Sequence, residues 1–317
     1  MANSFITVKD FARAALPRLM DHLVFPNLVH KDFSDDYAGM KGDTIQVRKP
    51  IVLEARDFDA QSGVSTQDII ESTVDVTLDK IATVDVGIEA LQGAVNIDDL
   101  TRVFIDPAAA ALAAKINADG LALYQDVYAT AGTAGTTPAS LSVLAAARKV
   151  LNSSKAPVSG RSAVWDPEAD AAFTAIDAIV HAEKSGSNQA LREGSIGRVM
   201  GMDHYMSQAV KQHKTGVTAA SGVKVAANVT AGASKLNLTA STLTGKLVKG
   251  DLLSIGGKTY TVTADSAAAS NNAIANVQVS PALPALSANA EVTLIGDHTA
   301  NLAFHPMAFA FVTRPLT

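Results

Sequence analysis

The sequence predicts an α+β protein whose core is interrupted by a small β-barrel. Three observations carry that prediction. A long capped helix, VFIDPAAAALAAKINADGLALYQDVYATAG (103–132), precedes alternating helical and extended runs over 140–212. From about Gly216 to Gly296 the composition then shifts to Ala, Ser, Thr, Val and Gly, with few charges and one aromatic, Tyr260. The earlier style resumes in NLAFHPMAFAFVTRPLT (301–317), where Leu302, Phe304, Phe309 and Phe311 fall at even spacing around a His-Pro break. Chain ends are usually polar and frayed. An apolar, alternating end belongs in a sheet. A stretch of foreign composition between two of matching style is the pattern of one domain inserted into another, so the last strand is expected to return to the first domain's sheet.

The 317 residues are 48% hydrophobic and 18% charged, which suits a packed core and argues against disorder. That length favours two domains and allows one large one. Aromatics make up only 5%, so Ala, Val, Leu and Ile must build most of the core. A formal net charge of −5 argues against tight, direct binding of nucleic acid, which needs a basic surface. The absence of cysteine excludes disulfides, thiolate nucleophiles and cysteine-based metal sites. MANSFITVKDFARAAL has no basic stretch followed by an apolar one, and no run approaches the ~18 apolar residues of a membrane span. These features lead to the expectation of a soluble protein made and used in a cytoplasm.

In chain order, 7–24 is expected to be an amphipathic helix. Thr7 and Asp10 form a capping box, Phe11, Ala14, Ala15, Leu19 and Leu23 follow at helical spacing, and Pro17 should kink it. It is either an ordinary packed helix or an arm that docks on a neighbouring subunit. GDTIQVRKPIVL (42–53) gives a turn and a strand, and STVDVTLDKIATVDVGI (72–88) gives two strand-length alternating runs. Between them lies a charged tip carrying Glu54, Arg56, Asp57 and Asp59. Loops this long in compact domains are usually functional or mobile.

In the long helix, Asp106 is the expected N-cap, Pro107 suits the first position and Gly132 the end. From 107 to about 130 it would run roughly 35 Å, with a stripe of Leu112, Ile116, Leu123 and Val127 and a bend at Gly120. Further on, SLSVLAAARKVLNSS is a helix, RSAVWDP a strand and PEADAAFTAIDAIVHAEKSG a helix. GSIGRVMGMDHYMS is a turn, a strand and a turn. Within 216–296 the expected strands are VKVA (223–226), KLNLT (235–239), LLSI (252–255), TYTVT (259–263), VQVS (277–280) and EVTLI (291–295). Gly256-Gly257 joins two of them as a tight hairpin. Short strands separated by turn signals suggest a small barrel or sandwich.

Catalytic chemistry finds little support. The histidines, His22, His30, His181, His204, His213, His298 and His305, form no HExxH and no tight pair on a helix face, and are expected to be satisfied or solvated. Ser221 and Lys224 match only the bare spacing of some acyl enzymes. Gly257-Lys258-Thr259 imitates the end of a phosphate-binding loop, but Leu252 replaces its first glycine and a strand follows. Asp75 and Asp79 are expected to share a strand face without a convergent third group. Asn152, Asn228 and Asn237 fit glycosylation sequons with no accompanying secretory signal. No catalytic, cofactor-binding or metal-ligating residue is assigned, and no cofactor is expected.

Four stretches in order resemble the major capsid (coat) proteins of tailed bacteriophages, in the branch carrying an inserted β domain. GDTIQVRKP is similar to the strand entering that family's extended loop, and the helix from Asp106 looks like its spine helix. LREGSIGRVMGMDHYMS (191–207) resembles its glycine-turn-strand motif, and NLAFHPMAFAFVTRPL its closing strand. The resemblance implies a Johnson-type capsid fold. Its parts would be an N-terminal arm (1–38), a capsid core domain (39–215 plus 298–317) and an inserted β-barrel (216–297). Within the core it implies an extended loop at about 50–75, a peripheral domain with a spine helix at about 106–130, and an axial domain at about 138–215. A return strand over 300–313 would complete the core.

It further implies a non-enzymatic structural protein that self-assembles as hexamers and pentamers of an icosahedral shell. Scaffolding protein and portal would be partners, double-stranded DNA would be enclosed without sequence-specific binding, and no membrane would be involved. The expected location is the virion, after assembly in the cytoplasm of a bacterial host. The alternative is a phage tail or surface binding module whose β domain grips a receptor or glycan. Arg56, Asp57 and Asp59 in the extended loop, with Arg192 and Arg198 near the axial motif, are the candidate subunit-interface residues, since their charges have no obvious partner within the chain.

Overall fold

The computed structural model describes residues 23–31, 44–48, 53, 69, 71, 73–84, 105–181, 186 and 189–313. Residues 7–22 of the expected N-terminal helix, and the charged tip with Arg56, Asp57 and Asp59, lie outside them. Leu23 and Val24, the described end of that expectation, are not helical, and Phe25–Leu28 forms a 3-10 turn opened by Pro26. Strands β1 (Thr44–Arg48) and β2 (Thr73–Thr77) pair antiparallel, from Thr44↔Thr77 to Arg48↔Thr73, as a separate two-stranded ribbon. Two strands were expected over 72–88. β2 is one; 78–84 has no regular structure, because beyond Thr77 no partner strand among the described residues offers a ladder.

Helix α1 spans Asp106–Leu121 and tightens into a 3-10 turn at Ala122–Asp126. It is shorter than the expected 107–130, and Asp106 is its first residue, with Ile105 in the cap position. Its buried face is also rotated from the expected stripe: Ala109, Ala113, Asn117 and Leu121 are buried, while Leu112 and Ile116 are half-buried and Leu123 is exposed. The cause is what covers the helix. Asn117 Oδ1 accepts from the backbone N–H of both Val24 and Phe25, at 3.1 Å each, fixing the 23–31 segment across α1. Gly120 is the next-to-last residue of α1. A Cβ there would fall 2.6 Å from Phe25 Cε1 and closer still to Cδ1, so glycine is what lets this ring reach the helix.

Helix α2 (Leu141–Ser153) leads to β3 (Arg161–Trp165), buried at all five positions as befits a central strand. Buried Arg161 is satisfied by the turn after α2, donating from Nε to Pro157 O and from a terminal nitrogen to Ala156 O, both at 2.7 Å. The single helix expected from Pro167 is broken into α3 (Pro167–Thr174) and α4 (Asp177–Val180), with Ile176 extended between them. After the short α5 (Gln189–Glu193), the glycine motif forms a hairpin rather than one strand: β4 (Arg198–Val199) and β5 (Met202–Met206) flank Met200 and Gly201, both at positive φ. Strand β5 runs parallel to β3, so α3–α5 form the crossover.

Strand β6 (Gln212–His213) leads into the compositionally distinct region. It contains β7 (Val217–Ser221), β8 (Lys224–Val225), β9 (Lys235–Thr239), β10 (Thr242–Gly245), β11 (Leu252–Ile255), β12 (Lys258–Val262), β13 (Ala273–Ser280) and β14 (Val292–Ile295). Six of these form one antiparallel sheet in the order β14-β11-β12-β13-β9-β8. Its two end strands are themselves joined. Val225 N donates to Ala290 O at 2.9 Å, Asn289 N to Val225 O at 2.8 Å and Val292 N to Val223 O at 3.0 Å. The sheet wraps one apolar cluster that includes Val225, Leu238, Leu253, Tyr260, Val262, Ile274 and Val277. Gly256 and Gly257 turn β11 into β12, both at positive φ. Strands β7 and β10, absent from the expected set, pair alongside as a ribbon.

The chain leaves through β15 (His298–Thr299), paired with β6, and β16 (Leu302–Phe304), which adds antiparallel to β3. The mixed sheet therefore reads β16-β3-β5-β4. The expected strand over 300–313 is only three residues long. His305 breaks it, Pro306–Ala308 forms a 3-10 turn, and Ala310 then bridges His30. Phe25, Phe304 and Phe309 meet with ring centroids 5.2–5.6 Å apart. Both ends of the described chain thus share one core, which also takes Leu121 from α1 and Val164 from β3.

Candidate functional site

No acyl-transfer or phosphate site is assembled by the motifs that hinted at one. Ser221 ends β7 and Lys224 opens β8, and Lys258-Thr259 begins a strand, so no helix N-terminus follows Gly257. Asp75 lies on β2 but Asp79 falls past its end, so the two carboxylates do not share a strand face. Asn228 and Asn237 use their side-chain oxygens to accept Ala288 N and Asn276 N, each at 2.8 Å. Among the described residues, no group of three or more His, Asp or Glu side chains is placed to hold a metal ion, and no helix is long and apolar enough to cross a membrane. A hollow of about 440 Å³ is lined by Ala145, Arg148, Lys149, Asn152, Ser153 and Met200. It holds no acid–base pair.

Of the candidate interface residues, Arg192 sits exposed in the last turn of α5. Arg198 is exposed on β4 but not without a partner. Its Nε lies 4.0 Å from Oδ1 of Asp203, the residue across the ladder on β5. Such a surface pair contributes under about 1 kcal/mol. The sequence could not show it, because Met200-Gly201 turns a five-residue separation into direct opposition.

Two histidines are deeply buried, each in a defined network. Trp165 Nε1 donates to His204 Nδ1 at 2.8 Å, so His204 Nε2 carries the proton and donates to Val199 O at 3.1 Å. Burial lowers the pKa of His204 below its ordinary value, opposed by the Val199 carbonyl and the Asp203 charge. His213 Nε2 lies 2.8 Å from Asp251 Oδ1, with both side chains only 2% exposed. Its Nδ1 lies 2.9 Å from the Tyr124 hydroxyl. Burial raises the Tyr124 phenol above its ordinary pKa; a hydrogen bond with Gln125 opposes this and the Asp251 charge adds to it. No residue of either network lines the hollow beside α2.

Exposed apolar side chains are concentrated elsewhere. Leu53, Ile69, Val74, Ile81 and Val84 are exposed and lie on the β1–β2 ribbon or flank its strands in sequence. A second set, Leu191, Tyr205 and Met206, belongs to α5 and β5. On the ribbon itself Val47 of β1 and Val76 of β2 are half-buried.

No family model matches the chain, and no curated protein matches it. Three of the solved structures to which it is similar come from phages. One is titled Mycobacterium phage Che8, with 17% identity, 86% of this chain and 90% of that one covered, and a TM-score of 0.48. Another is the capsid of cyanophage P-SCSP1u, with 14% identity, 86% and 88% covered and a TM-score of 0.45. A third is the asymmetric unit of the bacteriophage PhiM1 mature capsid, with 9% identity, 92% and 88% covered and a TM-score of 0.42. At these identities no residue of this chain takes a role from any of them.

Proposed function

We propose that this chain is the coat subunit of a phage shell, a structural role and not an enzymatic one. The observation that carries this reading is the β1–β2 ribbon. It stands as its own two-stranded sheet and exposes Val74, with Ile81 and Val84 just beyond it. A two-stranded ribbon is at best marginally stable alone in water. Burying those side chains against another copy would contribute roughly 25 cal/mol per Å² of apolar surface removed from water. The half-buried Leu112 and Ile116 on the outer side of α1 offer a second strip for the same purpose.

In this reading the ribbon is the base of the extended loop, α1 the spine helix, α2 through β5 the axial domain, and 216–297 an inserted β domain. Residues 1–38 are the arm. Copies associate as hexamers and pentamers of an icosahedral shell, with scaffolding protein and portal as assembly partners. The acidic chain encloses double-stranded DNA without gripping it, since like charge lets the genome move during packing. The assembled site is the virion, built in the cytoplasm of a bacterial host. Arg56, Asp57, Asp59, Arg192 and Arg198 are interface residues.

Negative-stain electron microscopy of the purified protein, alone and at raised concentration, tests the reading. Closed shells, or sheets and tubes of hexamers, are expected. Particles that stay small with and without a co-expressed scaffold would overturn it in favour of a tail or surface binding module.

A further inference from the structure

The β unit (residues 216–297) is attached to the rest of the molecule by a narrow neck. Its two connecting segments, β6 and β15, pair over two positions only, His298↔His213 and Thr299↔Gln212. Ala300 N adds a bond to Lys211 O at 2.9 Å and Thr215 N one to Asp297 Oδ1 at 2.8 Å, and the rings of His213 and His298 lie 5.1 Å apart. A ladder this short acts as a hinge, because two-stranded pairing alone is marginal. The β unit also carries its own apolar cluster, separate from the two that hold the remaining elements together. Its core therefore does not determine its angle on the molecule.

A second attachment lies beside the neck, against the 3-10 turn that ends α1. His213 Nε2 donates to Asp251 Oδ1, whose partner oxygen accepts Val248 N at 2.8 Å. Nδ1 of the same ring lies 2.9 Å from the Tyr124 hydroxyl, within hydrogen-bond distance. Thr261 Oγ1 donates to Gln125 O at 2.8 Å, and Lys249 Nζ sits 2.9 Å from Asp126. Gly250, at φ +94°, completes the seam: a Cβ there would lie 2.9 Å from Gln125 Cγ and 3.2 Å from His213 Cε1. Three successive residues, Lys249 to Asp251, together with Thr261, thus press the β unit onto residues 124–126 and 213.

We propose that the Tyr124–His213–Asp251 chain is a latch that sets the angle of the β unit on the end of α1 and turns an otherwise flexible neck into a rigid joint. Apolar contact is non-directional and tolerates sliding. A buried chain of hydrogen bonds does not, because a small rotation breaks it and strands a desolvated carboxylate. The low exposure of His213 and Asp251 gives the latch its stiffness. Any bend at the end of α1 is then carried into the β unit as a lever. The latch holds whether or not the chain builds a shell, and its test does not depend on assembly.

The chain has no cysteine, so spin labels can be placed cleanly. Exposed Ala114 on α1 and exposed Ala275 on β13 are replaced by labelled cysteines in the full chain. Pulsed electron spin resonance then reads their separation, and hydrogen exchange reads the β unit's core at Leu238, Leu253 and Val262. The parent should give one narrow distance peak. Asp251→Asn, and the milder Tyr124→Phe, should lose that single peak while the core amides keep their protection. Two results overturn the latch. One is an unchanged narrow peak in both variants. The other is core protection falling in step with the peak even in Tyr124→Phe, which would make these residues part of general stability instead.

Discussion

The β unit and the terminal core solve the problem of burial in opposite ways. The β unit draws its apolar cluster, Val223 to Val292, from one continuous stretch of chain. The terminal core gathers Phe25, Leu121, Val164, Leu302 and Phe304 from four distant places in the chain. A continuous stretch can fold and hold its shape with few outside contacts. A core built from both ends of the chain forms only when the whole molecule has closed, since loop-closure entropy is paid before its contacts repay it. A self-contained unit and a long-range core should therefore fail separately.

Phe25→Ala should produce the largest failure. It removes the ring that fills the space over Gly120 and meets Phe304 and Phe309, and should cost about 3–5 kcal/mol. Hydrogen exchange should rise across α1 and β3 while Leu238 and Leu253 stay protected; equal loss in both regions would end the distinction. Leu253→Ala is the mirror experiment. The side chain is fully buried, and truncation should cost about 2–5 kcal/mol. Here the fluorescence of Trp165, the sole tryptophan, should report an undisturbed environment in the mixed sheet.

Asn117→Ala sharpens the picture with a smaller change. It strips the acceptor from two backbone donors and should cost about 1–3 kcal/mol, read as a lower urea midpoint with the β unit intact. A pH effect should be weaker still. His204 has a folded-state pKa below its unfolded value of about 6.5, so the folded protein resists protonation there. The stability contributed by its neutral form is fully present above that value and is lost as pH falls below it. Denaturation at pH 7.5 and at pH 5.5, with His204→Asn as the comparison, measures this; a variant with the parent's full pH dependence would exclude His204 as the source. The smallest effect on the isolated subunit belongs to Val74→Ser on the exposed ribbon. Subunit stability should move by no more than about 0.5 kcal/mol, while shells counted by electron microscopy should become scarce.

Much of the secondary structure was legible because its signals are local. The Gly256-Gly257 hairpin, α2, the β3 strand and the apolar closing strand all follow from spacing and turn chemistry within a few residues. The shortfalls have a common origin. The stripe on α1 was misplaced because its covering segment lies some 90 residues earlier in the chain, and an Ala-rich helix does not announce which side will be covered. Strands β7 and β10 were missed because VTAAS and TLTG carry too few apolar residues to show alternation. The partner of Arg198 appears only once the Met200-Gly201 turn is made.

By itself the sequence determined the α+β character, the change of style at 216–296, the apolar return at 302–304 and the lack of any motif for covalent or metal chemistry. It could do so because composition, periodicity and turn residues act over one or two turns of chain. Only the tertiary structure decided that His213 lies between Tyr124 and Asp251, that Asn117 holds the 23–31 segment, and that Gly120 makes room for a ring. Those choices belong to residues brought together from 38 to 95 positions apart, and no local preference distinguishes a buried histidine or asparagine with partners from an exposed one.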